Sequence, residues 1–254
     1  MTSFLEASKV SKTYQDNKNQ DIPALLNFTL SVKEQEFITI IGPSGCGKSS
    51  FLFLAAGLEP LTGGVLKFNG RSVTGPDPLS AMVFQEYLLF PWKTVQENIE
   101  FGPELRHVPK QERRKTAIKF INMVGLGGFE DAFPNELSGG MQQRVSIARA
   151  LANSPKLILM DEPFGALDAL TRETLQIELL KIWQQAKCTV LFVTHSISEA
   201  VYLADRVVVV SKRPGTVKEI VPIELARPRD REMFTSPMFI EYERYLKNLI
   251  LEEI

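Results

Sequence analysis

Cysteine is nearly missing: Cys46 and Cys188 are the only two among 254 residues, and they lie far apart. Neither a disulfide framework nor a zinc site is suggested by that count, and a reducing, cytosolic compartment is expected. An excess of one charge is missing too. Lys and Arg total 29 against 30 Asp and Glu, a formal net charge of −1. That balance offers no basic field to hold a phosphate backbone, so a nucleic-acid partner is not expected. No run approaches the ~18 apolar residues needed to cross a bilayer. The first ten residues, MTSFLEASKV, lack the apolar core of a signal peptide. If a membrane is involved, a partner must span it. No internal repeat or low-complexity tract is visible.

What is present reads as an α/β chain. Phe28, Leu30 and Val32 alternate as in a half-buried strand, Lys33 to Glu36 turn, and Phe37 to Ile41 form a buried strand. Short β-branched runs recur at GGVLKFNG, AMVFQ, KLILMDE, CTVLFVTH and RVVVVSK, separated by segments of helical period, the signature of a mostly parallel sheet covered by helices. Between Gln85 and Pro155 the strand signal stops, so an inserted helical lobe is expected over about 86–155 within a single domain of residues 1–254. Leu175, Leu179, Ile182 and Trp183 fall at helical spacing. Phe239, Tyr242, Leu246, Leu249 and Ile250 do the same in an expected C-terminal helix over about 236–254. Such stripes are core-facing far more often than they are ligand sites.

Chemistry concentrates in three stretches. Gly42, Pro43, Ser44, Gly45, Cys46, Gly47, Lys48 and Ser49, followed by Ser50, match a phosphate-binding loop between a strand and a helix. Glycines let backbone N–H groups turn inward around a phosphate, and the helix start adds partial positive charge. Lys48 can then reach the β and γ oxygens, and Ser49 can ligate magnesium. Average residue frequencies give this pattern in roughly one chain in a hundred of this length. LILMDE is a buried strand presenting Asp161 and Glu162 at its end, where one carboxylate can hold magnesium and the next can polarise water. Without the phosphate loop, the pair would read equally well as a turn. LSGGMQQR opens a helix with Ser138 near the N-cap and Gly139 and Gly140 behind it, a second place where a phosphate can approach a helix start. One chain with two anion sites has a use for both if the second faces the nucleotide of another copy in a symmetric pair.

The ordered set Tyr14, GPSGCGKSS, Gln85, LSGGMQQR, LILMDEP, GALD and His195 resembles the nucleotide-binding subunits of ABC transporters over nearly the whole chain. The resemblance implies a P-loop NTPase core with a mostly parallel sheet, an N-terminal antiparallel β part and an inserted helical part. It implies ATP and Mg2+ as ligands. Tyr14 would stack on adenine, Gln85 would touch magnesium, Asp161 would ligate it, and Glu162 would be the general base. Ser138, Gly139, Gly140 and Gln142 would contact the nucleotide across a dimer formed in the ATP state. Asp168 would lie in the loop joining the two sites, and His195 would hold the γ-phosphate. Taken singly, Tyr14 reads as an edge-strand aromatic, Gln85 as a solvated amide and His195 as a surface residue. His107 stays a loop histidine, and Lys110, Arg113, Arg114 and Lys115, broken by Glu112, read as a solvated face. Cys46 reads as a packed thiol whose oxidation would block the loop.

Within that family, VFQEYLLFPWKTVQENI and RPGTVKEIVPIELARPRDR resemble importer ATPases of the nitrate, sulfonate and taurine type. The implied partners are an integral membrane permease and a substrate-binding protein, and the implied location is the cytoplasmic face of the membrane. Phe90, Pro91 and Trp92 lie where the family docks a permease helix, although local packing explains them equally well. Repair and translation ATPases of the family usually carry two nucleotide domains or a long coiled coil, neither of which is visible. Degenerate non-hydrolytic partners often lack residues equivalent to Glu162, His195 or Ser138. Some exporters also use separate ATPase chains, so direction stays open, as does the transported solute.

Overall fold

The computed structural model describes residues 3–165 and 167–253. The fold is α/β, and the chain forms two compact units. One unit runs to Asp77 and resumes at Thr189; the other is Pro78–Cys188.

In the first unit, β1 (Leu5–Gln15) and β2 (Asp21–Val32) make a long antiparallel pair. β4 (Gly63–Phe68) and β5 (Arg71–Ser72) extend it in the order β2-β1-β4-β5. Period-two alternation makes the sheet one-sided, with Phe28, Leu30 and Val32 buried and Thr29 and Ser31 turned outward. On β1 the alternation slips at Lys9, whose φ of 49° coincides with a register shift between Ala7 and Val10. That bulge hides β1 from a pattern reading.

A second sheet is built on β3 (Phe37–Ile41). It pairs in parallel with β8 (Thr189–Val193) and β9 (Arg206–Val210), and β10 (Val217–Pro222) runs antiparallel on β9. Every residue of β3 and β8 is buried, which explains their nearly continuous apolar runs. Helix α1 (Lys48–Ala55) follows β3, α6 (Ile197–Leu203) follows β8, and α7 (Pro237–Leu251) lies near the C-terminus. Phe51 of α1 meets Phe28 of β2 at a ring separation of 4.3 Å, both fully buried, so the antiparallel sheet fixes the helix that carries Lys48.

Arg229 does the same for α6. Its buried guanidinium donates to the carbonyls of Val201 (3.2 Å), Tyr202 (2.7 Å) and Ala204 (2.9 Å) at the helix C-terminus, and to Leu225 (3.1 Å). Burial pushes its pKa down to about 10, so it remains a cation at neutral pH and suits the negative end of the helix.

In the second unit, β6 (Ser80–Val83) pairs in parallel with β7 (Leu157–Asp161), Val83 opposite Met160. Helices α2 (Val95–Leu105), α3 (Lys110–Met123) and α4 (Gly139–Leu151) pack on one another and bury Ile99, Ala117, Ile121 and Val145. Thr94 and Glu97 form a capping box at the start of α2, with bonds of 3.2 and 2.9 Å. Helix α5 (Ala169–Ala186) buries Leu175, Leu179 and Ile182. Arg113 forks to Glu100 and Glu104, 3.0 Å each, so the basic cluster of α3 is partly an ion-paired face. Among the described residues no helix is long and apolar enough to cross a membrane.

The Phe28–Phe51 contact generates a stability expectation. Phe28→Ala should lower unfolding free energy by about 3–5 kcal/mol, the usual cost of emptying a fully buried aromatic site. Urea denaturation followed by circular dichroism measures it, and a loss below about 1 kcal/mol would show that the sheet does not hold α1.

Candidate functional site

The 42–49 loop leaves the buried end of β3 and enters α1 through Gly47, whose φ of 104° only glycine adopts without strain. Close packing adds a second demand. A β-carbon on Gly47 would lie 2.6 Å from the Ala24 carbonyl, and one on Gly42 would lie 2.6 Å from the Val210 carbonyl. Lys48 is buried, and its ammonium donates to the carbonyls of Gly42 and Pro43, both at 2.9 Å, so the cation sits within the loop. Cys46 is packed beside it. Burial pushes the thiol pKa up, with Lys48 opposing, so the sulfur stays protonated and unreactive at neutral pH. Ser44 and Gly45 are exposed and Ser49 is half-buried.

Tyr14 is brought to the same loop. Its hydroxyl donates to Ser50 Oγ at 3.3 Å, and Lys12 Nζ lies 4.7 Å from the ring centroid. His195 lies exposed just after β8. Its turn is held by neighbours that motif reading missed: Thr194 Oγ1 donates to the buried Glu199 carboxylate and accepts from Ser196 N (2.9 Å), while Ser196 Oγ accepts from Glu199 N (3.3 Å). The spacing Thr-His-Ser-x-x-Glu, read as a capping pattern, could have found them.

In the second unit, Asp161 closes β7 and is buried, and Glu162 follows at a φ of 43°. Left-handed backbone in a non-glycine residue costs on the order of 1 kcal/mol. Gln85 comes two residues after β6, the parallel neighbour of β7. Its Nε2 and the Glu162 Cβ both fall within 4.0 Å of where a β-carbon on Gly165 would stand. The structure therefore gathers Gln85, Asp161 and Glu162 at the carboxyl ends of two adjacent parallel strands, where α/β folds place ligands.

Ser138 caps α4 by accepting from Met141 N at 3.3 Å, with Gly139 and Gly140 in the first turn. Both glycines are tight. A β-carbon on Gly139 would meet Tyr87 Oη at 3.0 Å, and one on Gly140 would meet Thr171 Cγ2 at 3.0 Å. Gln142 donates to Pro134 (2.9 Å) and Leu137 (3.2 Å), which orients the turn before the helix. Asp168 caps α5 by accepting from Thr171 N at 3.0 Å, and the bonds from Thr171 hold its carboxyl below the usual Asp range. Ala166, within GALD, lies outside the described residues.

Beside these residues the 87–94 loop is pinned by the fully buried Asn98. It accepts from Phe90 N (2.9 Å) and donates to the carbonyls of Phe90 (3.2 Å), Lys93 (2.9 Å) and Thr94 (3.0 Å). Arg149 adds bonds to the carbonyls of Leu88 and Tyr87 at 2.7 and 3.0 Å. The loop borders a groove of about 490 Å3 lined by Phe84, Leu88, Phe90, Phe101 and Leu105. Trp92, 71% exposed, stands next to Phe90.

Residues 25–165 match the family described as ABC transporter. The chain belongs to that family. An uncharacterized ABC transporter ATP-binding protein of Methanocaldococcus jannaschii is 55% identical over 250 residues, 98% of this chain and 92% of that one. A nitrate import ATP-binding protein of Synechocystis is 43% identical over 252 residues, 97% and 94% of the two chains. A dimeric ATP-binding cassette in a post-hydrolysis state, bound to ADP and Pi, is 35% identical with a TM-score of 0.75 and covers 87% of this chain and 100% of its own. This ABC protein is thus an ATP-binding, ATP-hydrolysing subunit of a transporter.

The cap at α5 of this ABC ATPase sets a pH expectation. Because the folded pKa of Asp168 is lowered, its stabilising contribution is complete above the ordinary value of about 3.9 and fades as pH falls through the folded value. Carboxyl NMR titration should place its midpoint below about 3.9. A midpoint at or above that value would remove the cap.

Proposed function

We propose that this chain is the energy-coupling subunit of an importer for a small anionic solute of the nitrate, sulfonate or taurine kind. It works through a separate permease at the cytoplasmic face of the membrane, with a substrate-binding protein delivering the solute. The observation that carries the reading is the gathering of Gln85, Asp161 and Glu162 at the ends of β6 and β7, in a chain that also has the 42–49 loop. The 43% identity to a nitrate import ATP-binding protein supports the import direction and the anionic class.

In this reading the 42–50 segment holds the nucleotide phosphates through Gly42, Pro43, Ser44, Gly45, Cys46, Gly47, Lys48, Ser49 and Ser50, and Tyr14 stacks on the base. Lys48 leaves its loop carbonyls for the phosphate oxygens, exchanging two neutral acceptors for charged ones. Ser49, Asp161 and Gln85 are all oxygen donors and fit magnesium, which favours one or two protein ligands together with phosphates and water. Bound there, magnesium would neutralise charge on the β and γ oxygens. Glu162 takes the proton of the attacking water, and His195 holds the γ-phosphate. Ser138, Gly139, Gly140 and Gln142 serve the nucleotide of a second copy, with Asp168 between the two sites. ATP then closes a head-to-tail homodimer and hydrolysis opens it. The dimeric cassette bound to ADP and Pi supports that assembly.

The groove beside Phe90, with the exposed Leu88, Trp92 and Leu105 at its margin, is read as the seat of a permease helix.

Glu162→Gln should keep nucleotide binding, lose hydrolysis on the order of 10²-fold, and accumulate as a dimer in MgATP but not in MgADP on size-exclusion chromatography. Undiminished hydrolysis would remove Glu162 from the mechanism. For the docking surface, Trp92→Ala should leave ATPase activity of the isolated chain within about twofold while weakening co-purification of the permease, since exposed aromatic anchors dominate such contacts. Retention of the permease at wild-type yield would assign Trp92 to local packing instead.

A further inference from the structure

The connection between β9 and β10, residues 211–216, has no part in the reaction described above, yet it reaches the 42–49 loop. It is closed by its own side chains: Ser211 N donates to Thr216 O (3.0 Å), Thr216 N to Ser211 Oγ (3.0 Å), and the two hydroxyls lie 2.9 Å apart. Its inner side is bonded to β2. Gly215 N donates to Ala24 O at 2.9 Å, Leu26 N donates to Gly215 O at 3.0 Å, and Arg213 Nε donates to Pro23 O at 3.0 Å. Its outer side is tied to the end of α7. Lys212 N donates to Glu253 at 3.0 Å, and Lys218 pairs with Glu252 and Glu253 at 2.9 and 3.0 Å and donates to Leu249 O at 3.0 Å. Held on both sides, the hairpin has little freedom to shift.

Gly215 is buried at the contact between this hairpin and the loop. A β-carbon there would stand 2.1 Å from the Cys46 carbonyl oxygen, 3.0 Å from Val210 Cγ1 and 3.2 Å from Leu25 Cδ2. The nearest obstacle is backbone, so no rotamer change relieves it. The Cys46 carbonyl therefore faces the hairpin. Because the Cys46–Gly47 peptide is trans, the N–H of Gly47 must point the opposite way.

We propose that Gly215 is a positioning residue for the phosphate loop. By letting the hairpin backbone lie against the Cys46 carbonyl, it fixes the Cys46–Gly47 peptide so that the Gly47 N–H is presented to a nucleotide phosphate and no oxygen is turned towards that charge. Any side chain at 215 rotates or displaces this peptide, because the hairpin is bonded to β2 and α7 and the peptide is the part left to move. The effect falls on phosphate recognition and not on the base, since Tyr14 is bonded at Ser50, beyond the affected peptide. This inference rests on the reading of residues 42–49 as the nucleotide phosphate site.

The test compares affinities of the purified full chain for AMP, ADP and ATP by isothermal titration, alongside circular dichroism and thermal unfolding without nucleotide. Gly215→Ala should fold, keep AMP affinity within about twofold, and bind ADP and ATP about tenfold more weakly, the loss expected for one misaligned charge-assisted donor. A folded variant that binds all three nucleotides equally more weakly would overturn the proposal. So would unchanged ADP and ATP affinity in a folded variant. If Gly215→Ala does not fold, the double variant Ser211→Ala/Thr216→Val decides, because it loosens the hairpin without inserting an atom. It should shift ADP and ATP in the same direction by about threefold, and no shift overturns the proposal. Lys48→Ala separates the two readings. If it too spares AMP and weakens ADP and ATP while Gly215→Ala does not, the positioning role alone falls. If Lys48→Ala leaves all three affinities unchanged, the phosphate-site reading fails and takes this inference with it.

Discussion

The loop at residues 42–49 depends on backbones coming closer than side chains permit. Strand β9 brings the Val210 carbonyl against Gly42, β2 brings the Ala24 carbonyl against Gly47, and the β9–β10 hairpin brings Gly215 against the Cys46 carbonyl. A β-carbon at any of these three glycines would stand within 2.6 Å of a carbonyl oxygen. Glycine here does more than permit a turn, because it allows strands from two sheets to press on one loop. Lys48 completes the arrangement by bonding the loop's own carbonyls. Phe51 then carries the constraint down α1 to Phe28 and the core of the antiparallel sheet.

In the second unit, organisation comes from parallel pairing. Once Val83 is opposite Met160, Gln85 and the Asp161–Glu162 pair must emerge at the same edge. The positive φ of Glu162 and the small Gly165 then keep the turn tight enough for Gln85 to stand beside it. Close by in sequence, the single buried amide of Asn98 satisfies three carbonyls and one N–H of the 87–94 loop. That is why an irregular segment can display Trp92 and Leu88 without collapsing onto itself. Polar atoms buried with all partners present make a loop rigid, and rigidity lets exposed aromatic side chains act as a surface.

Much of the fold is legible in the chain. The runs FITII, LILMD and TVLFV are buried at every residue because both sheet faces are covered, and no amphipathic pattern competes with that signal. Capping residues announce helices: Thr94 with Glu97, Ser138 and Asp168 are local devices that act within a few residues. β1 and β10 are less legible. β1 slips its alternation at Lys9, and β10 is half-exposed along most of its length. Arg229 is invisible as a structural residue, since nothing local says that an arginine this late in the chain caps the helix after His195.

The sequence by itself determined the local pieces. Residue types with fixed spacing marked a glycine-rich loop between a strand and a helix, an acid pair at a strand end and a glycine-rich helix start, because each depends on backbone conformation over fewer than ten residues. Tertiary structure alone decided what those pieces rest on. Gly215 is some 170 residues from Cys46, and Arg229 fixes the helix next to His195 through bonds that no short motif contains. The physical reason is range. Capping, turns and strand burial are set by neighbours along the chain, whereas the aim of a peptide plane or the setting of α6 is fixed by atoms that meet only after the sheets have formed.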